Sequence, residues 1–290
     1  MSGEALFCFG LGYSAGFLAR ALAAEGWRIA GTTRDAPAAG AAFPMVRFSR
    51  EHRMSDAPAL LAGSTHVLVA VPPDAQGCPV CDCHGADLAA LEGVAWLGYL
   101  STTNVYGDRG GGWVDETSAL APVGERGRRR VVAEASWLAL QRRAGVPVHI
   151  FRLAGIYGPG RSALDALRAG TARRIAKPGQ VFSRIHVEDL VATLRASMAR
   201  PRPGAIYNLC DDEAAPPEEV VAYAARLLGR APPPVEAPAS AALSPMARSF
   251  YDENKRVANR LIKEELGITL RYPTYREGLA ALAAASPELR

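Results

Sequence analysis

Ala5-Leu6-Phe7-Cys8-Phe9-Gly10-Leu11-Gly12-Tyr13-Ser14-Ala15 is the stretch from which the rest of the chain is best read. Five apolar residues run into two glycines, after which Phe17, Leu18, Ala21 and Leu22 recur at helical spacing. The pattern is strand, tight turn, helix, with the spacing G-x-G-x-x-A. Gly10 permits the turn, and Gly12 lets the backbone approach a pyrophosphate with no side chain in the way. Ala15 is small enough for the helix to pack on the strand. A helix start also presents N–H groups to phosphate oxygens. Gly10, Gly12, Tyr13, Ser14 and Ala15 are therefore the candidate pyrophosphate residues of a dinucleotide site. The alternative is a plain glycine turn in another α/β fold.

Working outward, Arg28–Thr32 reads as a second strand and ends in Gly31-Thr32-Thr33-Arg34-Asp35. The residue meeting an adenosine ribose is expected about 20 residues past the glycines, and NAD binders place an acid there. Here Thr33 and Arg34 fall at that point. A guanidinium pairs bidentately with a phosphate, which favours NADP(H) over NAD(H). The other reading makes Arg34 a loop arginine and gives the ribose to Asp35. A third strand, His66–Val71, stops at Pro72-Pro73, and Val71 and Pro72 would line the adenosine side.

Val94–Ser101 and Val146–Leu153 read as further strands around a helix at Val131–Leu140. Strands separated by helices argue for a parallel sheet covered on both faces. Beyond Gly155 the pattern is shorter and mixed. Helices are expected at Leu164–Ala172, Glu188–Met198, Pro216–Leu228 and Leu261–Leu266, the last ending at Gly267, with strands at Phe182–Val187 and Ala205–Leu209. Pro232–Ala242, rich in proline and alanine, reads as a linker or surface loop. The expected architecture is a doubly wound α/β domain over 1–158 and a smaller C-terminal substrate lobe over 159–290. The chain would re-enter the sheet near 205–210.

Hydrophobic residues make up 49% of the 290 and charged residues 21%, a globular balance. The formal net charge of +4 is spread along the chain. Its one dense basic run, Arg126, Arg128, Arg129 and Arg130, has no interleaved aromatics, which argues against a nucleic-acid partner. No apolar run reaches the roughly 18 residues of a membrane span, and no leading segment looks like a signal peptide. A cytoplasmic protein with a small-molecule substrate is expected, and a homodimer is left open. The five cysteines include Cys78-Pro79-Val80-Cys81-Asp82-Cys83-His84, four candidate ligands in seven residues. With no second pair nearby in sequence, the segment reads as a surface loop rather than a metal site.

From Ser101 onward the chain resembles the extended, or atypical, short-chain dehydrogenase/reductases of the NAD-dependent epimerase/dehydratase kind. Ser101-Thr102-Thr103-Asn104-Val105-Tyr106-Gly107 is similar to their S-[ST]-x-x-V-Y-G strand end, and Asp115-Glu116 follows. Arg152-Leu153-Ala154-Gly155-Ile156-Tyr157-Gly158-Pro159-Gly160 resembles their R-x-x-x-x-Y-G-P-G loop, and Arg184–Leu190 their H-V-x-D stretch. Tyr207-Asn208-Leu209 and residues 254–267 resemble their C-terminal part. The resemblance implies a Rossmann fold, Thr102 as the catalytic hydroxyl holding the substrate oxygen, and Tyr157, Arg184 and His186 facing substrate.

The family's Tyr-x-x-x-Lys is missing. Counting back from Glu134, the tyrosine position holds Arg126 and the lysine position Arg130, and Thr117–Leu140 contains neither tyrosine nor lysine. An arginine stays protonated and cannot exchange a proton with substrate, so Arg126 could only hold an anion. Arg130 could keep the ribose contact. The alternative is a surface arginine of a basic helix, which stands level with function at Arg126 and behind it at Arg130. Tyr106, Tyr157 and His186 are the candidates for a displaced proton donor, each with a structural reading beside it. Tyr251-Asp252-Glu253-Asn254-Lys255 matches Y-x-x-x-K as a string but lies too near the C-terminus. Two functions follow: an NADP(H)-dependent oxidoreductase or epimerase-like enzyme acting on a small hydroxy, keto or nucleotide-sugar-like compound, or a non-catalytic NADP(H) sensor.

Overall fold

The computed structural model describes residues 3–239, 241 and 248–285. Its elements in chain order are β1 (Ala5–Phe9), α1 (Tyr13–Ala23), β2 (Arg28–Thr33), β3 (Met45–Arg47), α2 (Ala57–Leu61), β4 (His66–Val69), α3 (Pro79–Ala89) and β5 (Trp96–Thr102). A 3-10 turn at Thr103–Tyr106 leads to β6 (Trp113–Val114), α4 (Glu125–Ala144), β7 (Val148–Leu153), β8 (Gly155–Tyr157) and α5 (Ala163–Arg168). Then come β9 (Arg174–Ile175), β10 (Arg184–His186), α6 (Val187–Ala199), β11 (Ile206–Leu209), α7 (Pro217–Leu227), β12 (Val235–Glu236), β13 (Arg256–Val257), α8 (Arg260–Leu266) and α9 (Tyr275–Ala284).

Seven strands form one sheet in the order β11-β7-β5-β4-β1-β2-β3. The pairs β1–β2, β2–β3, β1–β4 and β4–β5 are all parallel. The chain runs outward from β1 to β3, then returns to place β4 on the other side of β1. That reversal opens a crevice beyond the carboxyl ends of β1 and β4, where α/β sheets bind ligands. Every residue of β1, β4 and β7 is buried. This is why these strands read as unbroken apolar runs rather than alternating ones. Phe7, Phe9, Val67, Leu97, Tyr99 and Trp137 fill the core beneath them.

The chain divides into two compact units that interleave along the sequence. The first comprises 1–102, 128–152 and 191–207; the second comprises 103–127, 153–190 and 208–290. The division is thus interleaved rather than a single cut at 158: residues 103–127 group with the second unit, while 191–207, which includes most of α6 and the start of β11, return to the first. The second unit has its own core of Tyr157, Leu164, Val220, Ala224, Tyr275 and Leu279. Its small sheets are the parallel pairs β8–β10, β9–β12 and β6–β13. α8 ends as the sequence suggests, with Gly267 left-handed at φ 68°.

Two expectations are corrected. Cys78–His84 is not a surface loop: Pro79 occupies the first turn of α3, and Asp82 favours the same helix start electrostatically. Cys78 and His84 are buried, and Cys81 and Cys83 pack on the core. Both ring nitrogens of His84 are engaged: Nδ1 lies 2.8 Å from Asp87 Oδ2, and Nε2 accepts from the Met54 amide at 3.4 Å. Pro232–Ala242 is not wholly loop either, because Val235 and Glu236 pair with Arg174 and Ile175; positions 240 and 242 lie outside the described residues. Among the described residues no helix is long and apolar enough to cross a membrane.

Candidate functional site

The turn after β1 is held from below by Thr32, which is buried. The Gly10 amide donates to Thr32 Oγ1 at 2.9 Å, and the Leu11 amide to the Thr32 carbonyl at 2.9 Å. Gly10 sits at φ 84°, and a Cβ there would lie 3.1 Å from Val71 Cγ2 and 3.2 Å from the Val71 nitrogen. Only glycine suits that backbone and that approach. A Cβ at Gly12 would meet nothing within 4 Å, so its bare backbone faces open space. Gly12 caps α1 without a side-chain hydrogen bond. The first-turn amides of α1 thus have no partner within the helix, as at any helix start. Ser14 and Ala15 are buried against the sheet, and Tyr13 packs its ring on Phe17 at 5.1 Å.

Beside this turn opens a cavity of about 890 Å³ lined by Gly10, Gly12, Thr33, Arg34, Val71 and Pro72, six of the residues expected there. Its volume falls within the range of small-molecule cavities, and its wall is rich in charged side chains. It also has a wall that sequence reading missed: Arg47 at the end of β3, Phe48, Ser49, Arg50 and His52 just after it, Asp74, and Arg129. Arg50 is clamped by two carboxylates, at 2.7 Å from both Asp74 and Asp82. The guanidinium bond holds the Asp74 carboxyl below the usual range.

Arg130 does not line this cavity. Its Nη1 donates to the Leu100 carbonyl at 2.5 Å and to Tyr99 Oη at 3.1 Å, and its guanidinium lies over the Tyr99 ring. The helix turn brings Arg129 to the cavity in its place. Thr102 ends β5, half-buried. The residue before it is anchored deeply: Ser101 Oγ donates to Glu134 Oε1 at 2.5 Å. Arg152 binds the same carboxylate through Nη2 at 2.8 Å and through Nε at 3.2 Å.

The remaining candidates fall in the second unit. Arg126 is exposed, its guanidinium 5.6 Å from the centre of the Phe250 ring. Tyr106 is fully buried and donates to Asn208 Oδ1 at 2.7 Å. Tyr157 reaches the Thr274 carbonyl at 3.4 Å and meets His186 edge-on at 5.1 Å, and burial pushes its phenol pKa up. His186 is held between Tyr157 and Tyr272; its Nδ1 accepts from the Glu188 amide at 3.2 Å, and Nε2 has no protein partner. Burial lowers the His186 pKa to about 4, so the ring is neutral.

Arg184 turns Nη1 to the carbonyls of Phe182 at 2.7 Å and Ala215 at 3.1 Å. Its own carbonyl accepts from the Asp211 amide at 2.6 Å. Asp211, just past β11, was not singled out from sequence. Its Oδ2 is buried without a partner. Burial raises its pKa to about 8 against the opposing pull of Arg184. Nothing in the string Leu209-Cys210-Asp211 marks it, because its environment is made by β10, which lies far away in sequence. Among the described residues no group of three or more His, Cys, Asp or Glu is arranged to hold a metal ion.

Residues 86–210 match the model of the NAD dependent epimerase/dehydratase family. The chain is 30% identical over 282 residues to Protein YeeZ of Escherichia coli strain K12, covering 91% of this chain and 94% of that protein. Among solved structures, a functionally unknown conserved protein from Silicibacter pomeroyi DSS superposes with a TM-score of 0.88 at 52% identity, over 98% of this chain and 99% of that one. MoeE5 in complex with UDP-glucose and NAD has a TM-score of 0.77 at 22% identity, over 99% of both chains.

Proposed function

The chain belongs to the NAD-dependent epimerase/dehydratase family, and from that premise we propose that it is a nicotinamide-dinucleotide-dependent oxidoreductase or epimerase-like enzyme that prefers NADP(H). The observation that carries this reading is the cavity beside the Gly10–Ala15 turn with Arg34 on its wall. The residues fit the group: a glycine backbone with open space before it, a helix start without a side-chain cap, and an arginine where NAD binders carry an acid. When bound, the nicotinamide supplies hydride transfer.

The chain's own part is to position. Gly12 and the α1 amides would hold the pyrophosphate, and Arg129 also lines the cavity. Val71 and Pro72 would line the adenosine. Thr102 would hold the substrate oxygen by its hydroxyl. Arg130, committed to Leu100 and Tyr99, would brace the end of β5. The substrate is proposed to be a small hydroxy or keto compound or a nucleotide sugar, the last because MoeE5 was solved with UDP-glucose. Within the second unit, taken by itself, Arg184, Tyr157 and His186 are the proposed substrate-contacting residues. Tyr106 is left out of proton transfer, since its hydroxyl is buried and committed to Asn208.

A second reading, a cofactor-binding sensor without turnover, is favoured by one observation. Tyr106, Tyr157 and His186, the three candidate proton donors, are all buried. Calorimetric titration with NADPH and NADH, on native protein and Arg34→Ala, tests the shared premise. NADPH is expected to bind at least 10-fold tighter, with the preference collapsing in the variant. Binding of neither dinucleotide would remove both readings. NADPH oxidation with a keto-sugar panel, lost in Thr102→Ala, would then separate enzyme from sensor.

A further inference from the structure

We infer that NADP(H) is selected by a pair of arginines on adjacent strand ends, Arg34 after β2 and Arg47 closing β3, which together grip the 2′-phosphate. This rests on the dinucleotide reading above and adds a residue to it. Thr33 and Arg47 are register partners in the parallel β2–β3 pair. Arg34 follows Thr33, so both arginines stand at the same carboxyl edge of the sheet, and both line the cavity. The contact between them is directional: Arg47 Nε donates to the Arg34 carbonyl at 3.2 Å. That bond fixes the base of the Arg47 fork and leaves its two terminal nitrogens for a ligand.

The neighbouring charges sharpen the point. Arg50 also lines the cavity, but its charge is spent on Asp74 and Asp82. Among the described residues, Arg34 and Arg47 make no ion pair with a carboxylate. The acids on the same wall are Asp74, already paired, Glu51, which accepts from Ser49 Oγ at 2.9 Å, and Asp35. Two guanidinium groups thus stand at the β2–β3 edge, where a ribose 2′-hydroxyl would need one carboxylate and a 2′-phosphate needs cations. A phosphate with two or more acceptor oxygens can take a fork from each side. β3 itself carries no glycine or acid that would mark it as a ribose-side strand, so only the register reveals Arg47.

The test uses small probes on the full chain: adenosine 2′,5′-bisphosphate against adenosine 5′-monophosphate, alongside NADPH and NADH, by calorimetry. Arg47→Ala is expected to weaken the bisphosphate and NADPH by about 10-fold or more, the scale of one charge-assisted contact. The monophosphate and NADH should change less than about twofold. Arg47→Lys, which keeps the charge but not the fork, should fall between the two and also guards against a folding defect. If Arg34→Ala abolishes the NADPH preference while Arg47→Ala and Arg47→Lys bind as the native protein does, the pair is overturned and the cofactor reading stands. If the native protein does not prefer the bisphosphate, the cofactor reading falls and takes the pair with it.

Discussion

At the scale of single residues, the Glu134 carboxylate is a buried charge in the first unit that serves two partners. It takes Ser101 and Arg152, and the side chains of Glu134 and Arg152 are each 3% exposed. A buried pair of this kind gains little over apolar packing, but breaking it is costly because one charge is left without its counter-ion. Glu134→Leu is expected to destabilise by about 3 kcal/mol or more, read as a lower urea midpoint at unchanged slope. Glu134→Leu with Arg152→Met should recover most of that loss. Equal losses in the single and double variants would mean that packing volume, not charge, sets the cost. The sequence displays all three residues, yet only Ser101 and Arg152 stand in recognisable motifs. That they share one carboxylate depends on α4 lying across β5 and β7, which no local pattern records.

At the scale of elements, α9 meets β8 at Gly278. A Cβ there would collide with the Tyr157 hydroxyl and ring. Helix propensity alone favours Ala over Gly by about 1 kcal/mol, so Gly278→Ala would stabilise an unpacked helix. Overpacking in a filled site costs about 1–3 kcal/mol. Packing wins because Tyr157 is itself buried and cannot swing aside freely. Gly278→Ala should therefore lower the melting temperature, and Tyr157→Phe in that background should restore part of it. A variant that melts above the native protein would refute the contact. Elements also differ in how far the sequence reveals them. β1, its turn and α1 are legible because glycine spacing and an apolar run agree. β3 is three residues, Met45-Val46-Arg47, with no alternation to announce it, and it exists only because β2 offers an edge. α3 was masked by its cysteines, which suggest ligands while serving as core. Arg129 and Arg47 escaped for the same reason: each is assigned by which face or edge its element presents, not by its neighbours in sequence.

At the scale of the whole molecule, the buried titratable groups are divided unequally between the two units, and this makes their pH responses differ. His66 and His149 lie in the first unit and are held to about 4 by burial, from an ordinary 6.5. Between pH 6.5 and 4 the unfolded chain takes up both of these protons and the folded unit neither, so stability falls as pH falls through that window. In the second unit His186 acts in the same direction, but Asp211 opposes it. Its folded pKa of about 8 stands above the ordinary 3.8, so the folded state holds one more proton than the unfolded chain from about pH 4 to 8. Asp189, also raised by burial, has the same sign. Across the acid window Asp211 therefore offsets His186 in the second unit, while the first unit's two histidines add. From pH 6.5 to 8 the first unit's histidines are silent and the second loses stability as Asp211 ionises. Hydrogen exchange by mass spectrometry, corrected for intrinsic rates, should show peptides of 1–102 and 128–152 losing protection first at pH 5. Peptides of 153–190 and 208–239 should lose it first at pH 8. Asp211→Asn, which cannot ionise, should flatten only the alkaline loss. Uniform loss along the chain at both pH values would show that the two units do not respond separately, and an unchanged alkaline loss in Asp211→Asn would clear Asp211 of the role.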